Sequence, residues 1–137
     1  MYGADRRVEL PAAVEQLAGL PILTVIGTKR TDGEVQMNPI WFEYRDGAIW
    51  LNSNTRRTWP KNLQRDGGAL LLLVDPKVPD RFAQIRCRLV ETIPDPRHEM
   101  IDSLAQRYTG KPFRALEPGE VRITLKLDPI KVTGQEI

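Results

Sequence analysis

Three cationic side chains stand close together where a strand-like run gives way to a helix-like one. Arg56, Arg57 and Lys61 lie in NTRRTWPKNL, residues 54–63, directly after AIWLNS. A helix N-terminus has free backbone N–H groups and the positive end of the helix dipole, so it favours an anion. Acidic side chains usually occupy this position, whereas this chain places cations there. The stretch therefore predicts a site for an anion that arrives with a ligand, phosphate above all.

The spacing of these residues suits such an anion. Arg57 and Lys61 are four residues apart, so they project from neighbouring positions once a helix has formed. Arginine binds phosphate with a bidentate fork, and lysine adds a point charge. Thr55 and Thr58 add hydroxyl donors, unless one of them caps the helix. The alternative interpretation is a solvated basic turn without a ligand.

The composition limits the function classes that are open to the chain. Its 137 residues, 41% hydrophobic and 28% charged, are typical of one soluble globular domain over residues 1–137. A net charge of +2 is too small to argue for nucleic acid. Cys87 is the only cysteine and His98 the only histidine, so neither an internal disulfide nor a metal site is expected.

Nothing in the sequence predicts a membrane or export role. No apolar run approaches the roughly 20 residues that a membrane-spanning helix needs. The first residues, MYGADRRVELPAA, carry charge without the apolar core of a signal peptide. We therefore expect a cytoplasmic protein.

Hydrophobic periodicity predicts six strands and three helices. The strands are 21–30, 34–44, 48–54, 69–75, 81–93 and 121–134, and the helices are 8–20, 58–65 and 95–110. Asp-Gly pairs at 32–33 and 46–47 predict tight hairpin turns. The continuous apolar run ALLLLVD, residues 69–75, predicts a strand that is covered on both faces. Short strands joined by tight turns, with few helices, favour a mainly β fold, an antiparallel barrel.

This layout resembles the pyridoxamine 5′-phosphate oxidase-like split β-barrel family. Within it, the chain is similar to the flavin- and deazaflavin-dependent oxidoreductases, which include coenzyme F420-dependent reductases. The resemblance spans about residues 10–134 and depends on three stretches. They are VQMNPIWFEYRDGAIWLNSN, RRTWPKNLQRDGG with its K-N-L-x-x-D ending, and the late helix that ends in Arg107-Tyr108. The fold that the resemblance implies is a six-stranded, FMN-binding-like split barrel.

The resemblance also implies a cofactor site. In the family, the basic segment holds the cofactor phosphate, which here implies Arg57 and Lys61, helped by Arg56 or Thr58. The ring system lies along the second and third strands. Here that implies contacts from Met37, Asn38, Pro39, Ile40, Asn52, Ser53 and Asn54. Many members have a lysine where this chain has Trp59, so either Lys61 takes its place or Trp59 stacks on the cofactor or substrate.

The implied activity is that of an F420-dependent oxidoreductase, which passes hydride from reduced F420 to a small unsaturated or carbonyl-bearing substrate. One alternative is an FMN-dependent reductase or oxidase, and another is a non-enzymatic binder of haem or a lipophilic ligand. The resemblance implies a homodimer with cofactor sites at the subunit interface. No acid–base dyad is evident, so no catalytic residue is assigned, and Tyr44, Tyr108 or solvent remains open as proton donor.

Overall fold

The structure, a computed structural model, describes residues 6–137. Within that range the chain forms three helices and seven strands. The helices are α1 (Ala12–Ala18), α2 (Thr58–Asp66) and α3 (Glu99–Thr109). The strands are β1 (Thr24–Lys29), β2 (Val35–Ile40), β3 (Glu43–Arg45), β4 (Ala48–Asn54), β5 (Gly68–Val74), β6 (Phe82–Pro94) and β7 (Arg122–Gln135). The predicted mainly β class is confirmed.

The seven strands form one antiparallel sheet in the order β2-β1-β5-β6-β7-β4-β3. β2 and β3 lie at opposite edges of this sheet, yet only Trp41 and Phe42 separate them along the chain. The three residue steps from Ile40 to Glu43 span at most about 10 Å, so the sheet must curl until its edges nearly meet. The result is a barrel with a break at residues 41–42. The second of the six predicted strands, 34–44, is therefore divided into two.

The last turn of α3 closes this break. The Nε of Arg107 donates to the carbonyl of Phe42 at 3.1 Å, and the hydroxyl of Tyr108 accepts from the Phe42 N–H at 3.2 Å. The same guanidinium donates to the carbonyls of Ala18 and Leu20 at the end of α1. One arginine thus connects the break to the end of α1 through backbone carbonyls on both sides.

Two of the predicted helices begin later than the sequence indicated. α1 begins at Ala12 because Pro11 has an extended conformation, with ψ at 149°. α3 begins at Glu99 because His98 adopts a left-handed conformation, with φ at 60°. The predicted capping role of Asp95 is nevertheless confirmed, since its carboxylate accepts from the N–H groups of Met100 and Ile101.

The barrel interior explains why Cys87 is not a nucleophile. Along β6, Ala83, Ile85 and Cys87 point inwards and are fully buried, as the alternation of the sequence predicts. Burial among apolar side chains raises the pKa of the Cys87 thiol far above its ordinary value. Because the thiolate is the reactive form, this cysteine is a packing residue.

The prediction that residues 69–75 are covered on both faces is wrong for this chain taken alone. Leu71 and Leu73 are buried, but Leu70 and Leu72 are 39% and 37% exposed on the opposite face. Val35 and Met37 of β2, and Leu23 before β1, extend the same exposed surface. We call these five side chains, Leu23, Val35, Met37, Leu70 and Leu72, the apolar outer face.

Candidate functional site

A cavity of about 500 Å³ lies beside the break in the barrel. Ile40 at the end of β2 and Trp41 in the break line one side of it. Ile101, Leu104 and Tyr108 line it from α3. The break therefore ends β2 and also shapes one side of the cavity. It leaves a space between the sheet and the helix that closes the barrel.

Aromatic rings form much of the cavity wall. The rings of Trp41 and Tyr108 stack with centroids 5.5 Å apart and planes 14° apart. Phe113, from the segment between α3 and β7, meets Trp41 edge-on at 6.4 Å. Trp59, 3% exposed, also lines the cavity. Flat rings of this kind suit a planar aromatic ligand.

The polar side chains of the cavity are cations and uncharged groups. Arg57 and Arg122 line it together with Asn52 and Ser53. Arg57 makes no ion pair or side-chain hydrogen bond with any residue that the structure describes. The Ser53 hydroxyl is buried and has no hydrogen-bond partner among the described residues. A buried polar group of this kind normally has a partner, so its position in the cavity wall points to a ligand.

The start of α2 adds to this positive character. Arg57 occupies the N-cap position, no side chain caps the helix, and its first turn has no acidic residue. The side-chain oxygen of Asn54 accepts from the N–H groups of Arg56 and Arg57, at 3.0 and 3.1 Å. Asn54 therefore fixes the backbone that carries both arginines. The helix N-terminus itself remains open to an anion.

A buried polar network lies behind the cavity. Asn52 is its centre, with its amide nitrogen 3.0 Å from Asp95 and 3.1 Å from Thr124. The amide oxygen of Asn52 accepts from the Nε of Arg122 at 3.0 Å. Arg122 donates in turn to Glu120 at 2.9 Å. These five residues, Asn52, Asp95, Glu120, Arg122 and Thr124, are the buried polar network.

The Glu120 carboxylate of this network is ionised at neutral pH. A hydrogen bond from Arg114, with further bonds from the Glu117 N–H and Arg122, lowers the pKa of Glu120 from 4.5 to about 2. The stabilisation from this carboxylate is present above pH 4.5 and is lost as the pH falls towards 2. Burial, above all, lowers the pKa of Arg122, although its partner Glu120 opposes that shift.

The structure brings some of the predicted cofactor residues together at the cavity and leaves others outside it. Those that line it are Pro39, Ile40, Asn52, Ser53, Arg57 and Trp59. Those that do not are Met37, Asn38, Asn54, Arg56, Thr58 and Lys61. Met37 belongs to the apolar outer face, and Asn38 accepts a hydrogen bond from Gln36. Arg56 donates to the carbonyl of Pro118 at 2.9 Å, while Thr58 and Lys61 are exposed.

Sequence reasoning missed Arg122 and Phe113. Arg122 alternates with the hydrophobic residues of β7, which indicated only that it faces away from them. Its burial arises because a second layer, α3 and the segment after it, covers that side of the strand. No local pattern signals this coverage. Thr124, two residues later on the same side of β7, is also buried.

Two other site types have no support among residues 6–137. No cluster of three or more histidine, cysteine, aspartate or glutamate side chains could hold a metal ion there. In the same range, no helix is both long and apolar enough to span a bilayer.

The chain is similar to several solved structures. A protein described as an F420 reductase superimposes with a TM-score of 0.82 at 24% identity, over 90% of this chain and 98% of the other. A conserved hypothetical protein from Mycobacterium tuberculosis superimposes with a TM-score of 0.69 at 23% identity, over 96% of this chain and 87% of the other. A proposed pyridoxamine 5′-phosphate oxidase from Listeria innocua superimposes with a TM-score of 0.63 at 13% identity, over 89% of this chain and 94% of the other. No protein-family model and no curated protein sequence matches the chain.

These likenesses show the fold. The chain is a split β-barrel of the pyridoxamine 5′-phosphate oxidase-like kind, as its sequence resemblance implied. The curled sheet, with its break beside a cavity, is the form that this fold takes here.

Proposed function

We propose that the chain is an F420-dependent oxidoreductase that reduces a small unsaturated or carbonyl-bearing substrate. The observation that carries this proposal is the cavity, which combines aromatic walls with an unpaired arginine. F420 has the matching parts, a planar deazaflavin ring and a phosphate. The likeness to an F420 reductase over nearly the whole of both chains supports the same conclusion.

The residues present fit this cofactor. Arg57 would bind the phosphate, and Arg56, Thr58 and Lys61 would add positive charge and a hydroxyl at the same junction. Pro39, Asn52 and Ser53 would lie along the ring, with Met37, Asn38 and Asn54 on the flanking parts of the same strands. Bound F420 would supply the hydride chemistry.

The protein would contribute binding, orientation and the exclusion of water. The stacked pair of Trp41 and Tyr108 gives the cavity an apolar wall. We assign no proton donor, because the Tyr108 hydroxyl already donates to the Phe42 carbonyl at 3.4 Å and Tyr44 does not line the cavity. Solvent is the remaining source of a proton.

FMN is the alternative cofactor, since it shares the planar ring and the phosphate. The likeness to a proposed pyridoxamine 5′-phosphate oxidase favours this second candidate. F420 differs in its long acidic tail, which needs an open and basic exit. Exposed Lys61, four residues after Arg57, would give such an exit its positive charge.

Equilibrium titration tests the proposal. Purified protein is titrated separately with F420, FMN and haem while tryptophan fluorescence is followed, because Trp41 and Trp59 line the cavity. We expect F420 to bind at micromolar concentration or below. Binding of FMN alone would move the protein to the alternative class, and binding of haem alone would support the non-enzymatic alternative. Binding of none would overturn the reductase proposal.

We also propose that the chain forms a homodimer through the apolar outer face, with the cofactor site at the interface. Strand register places Pro39, Val25 and Leu72 in one row across three strands, and Met37, Gly27 and Leu70 in the next. Pro39 and Leu23 also line the cavity. The exposed surface and the cavity are therefore continuous, and a surface of this kind usually marks an interface.

Leu70→Glu tests the dimer. We expect the wild type to sediment as a dimer and the variant as a monomer, because burying an unpaired carboxylate at the interface is unfavourable. Val78→Glu is the matched control, since Val78 is 47% exposed in the β5–β6 connection, outside the apolar outer face. A wild type that sediments as a monomer at all accessible concentrations would contradict the proposal.

A further inference from the structure

The most unusual charge in the molecule is that of Arg122. The residue is 6% exposed. Its Nε donates a hydrogen bond to Asn52, and its Nη1 donates one to Glu120. No atom of the described residues accepts a hydrogen bond from its Nη2 group. Since Arg122 lines the cavity, this donor is available to a ligand. A buried arginine held rigidly by two partners has little freedom left to lose when it binds a third.

Arg122 shares its one direct acidic partner among the described residues with a second arginine. Glu120 is the only acidic partner of Arg122 among the described residues, and Arg114 shares the same carboxylate at 2.8 Å. Arg57 lines the same cavity without an acidic partner. Burial lowers the pKa of Arg122 most, and the positive charges of Arg114 and then of Arg57 add to that lowering. Holding like charges together is unfavourable unless an anion compensates them.

The Ser53 hydroxyl completes the set. It is buried beside Asn52, the residue that anchors Arg122, and it lacks a partner in the described part of the chain. Its side chain is 2% exposed and lines the cavity. A hydroxyl can donate to an oxyanion while two guanidinium groups neutralise it.

We infer that Ser53, Arg57 and Arg122 form an inner anion site, in which Arg122 binds a phosphate or a similar oxyanion directly. This deepens the proposed function and rests on it for the identity of the ligand. Asn52 and Glu120 are positioning residues, because they orient the guanidinium of Arg122. The oxyanion has two sources, the phosphate of the cofactor or an anionic group of the substrate.

Paired ligands separate a binding role of Arg122 from a structural one. F420 is compared with its phosphate-free deazaflavin riboside, and FMN with riboflavin, in the wild type and in Arg122→Met. We expect the preference of the wild type for the phosphorylated ligand to fall about tenfold in the variant, with riboside affinity unchanged. If Arg122 had a purely structural role, Arg122→Met would weaken the binding of both ligands of a pair equally. That result would overturn the inference.

Two control variants define the scale of the effect. Arg122→Lys keeps the charge but loses the fork, so it should retain part of the preference. Lys126→Met removes a cation from the same strand; Lys126 does not line the cavity, so the preference should stay as in the wild type. If Lys126→Met lost the preference for the phosphorylated ligand to the same extent as Arg122→Met, the effect would be one of general charge. That result would contradict a specific site.

Inorganic phosphate distinguishes the source of the anion. If Arg122→Met leaves the cofactor preference intact but abolishes phosphate binding to F420-loaded protein in calorimetry, the site serves the substrate. If the wild type binds no flavin or deazaflavin, yet binds pyrophosphate through Arg122, the proposed function fails and the anion site stands. If Arg122→Met changes none of these affinities, the inner anion site does not exist.

Discussion

Arg57→Met is expected to weaken F420 binding about 100-fold. Arg57 lines the cavity with its whole guanidinium group unpaired in the described part of the chain, so a bound phosphate would take up several of its donors. Charge-assisted hydrogen bonds of this kind each contribute roughly 1.5–3 kcal/mol, and 1.4 kcal/mol corresponds to a tenfold change in affinity. Fluorescence titration of both proteins with F420 measures the difference.

Two further variants separate contact from general electrostatics. Lys77→Met removes one cation from the exposed β5–β6 connection and should leave the affinity within about twofold. Lys61→Met should weaken binding only a few-fold, because Lys61 is exposed and does not line the cavity. If Arg57→Met binds F420 as tightly as the wild type, the phosphate site is not at this junction.

Asn52→Leu is expected to lower the free energy of unfolding by about 3 kcal/mol. The substitution leaves Asp95 without a side-chain donor and the Nε of Arg122 without an acceptor, both in buried positions. Thr124 loses a partner as well. Removing one partner of a buried charged group lowers the free energy of unfolding by more than the net contribution of the lost hydrogen bond, because the other group stays buried without a partner. Urea unfolding of the ligand-free protein, followed by circular dichroism, measures the change.

Asn38→Leu is the matched control for this effect. Asn38 is a half-buried amide on the edge strand β2, and within residues 6–137 its side chain bonds only to that of Gln36. Its replacement should change the free energy of unfolding by less than about 0.5 kcal/mol. A loss below about 1 kcal/mol in Asn52→Leu would show that water replaces the lost bonds and that the network is not a stabilising core.

The parts of the fold that depend on neighbours in sequence are predictable. Asp46 and Gly47 have φ values of 54° and 73°, and they join Arg45 to its partner Ala48. Two successive positive φ angles define the hairpin turn that an Asp-Gly pair favours. The helix after the basic segment, predicted over 58–65, is found at Thr58–Asp66 for the same local reasons.

The parts that depend on distant contacts are not predictable in this way. The run IWFEY reads as uninterrupted strand, and it breaks at Trp41 and Phe42 because Arg107 and Tyr108 take the backbone groups of Phe42. Those partners lie more than sixty residues away in the sequence. The cavity depends on that break, so the sequence indicated Arg57 at the α2 junction but not the buried arginine of β7 that lies in the same cavity.

A crystal structure of the chain with F420 bound tests the central claim most directly. We predict that the deazaflavin ring occupies the cavity against the aromatic walls, with its phosphate within hydrogen-bonding distance of Arg57. F420 bound elsewhere, or bound in the cavity with its phosphate away from Arg57, would contradict the account.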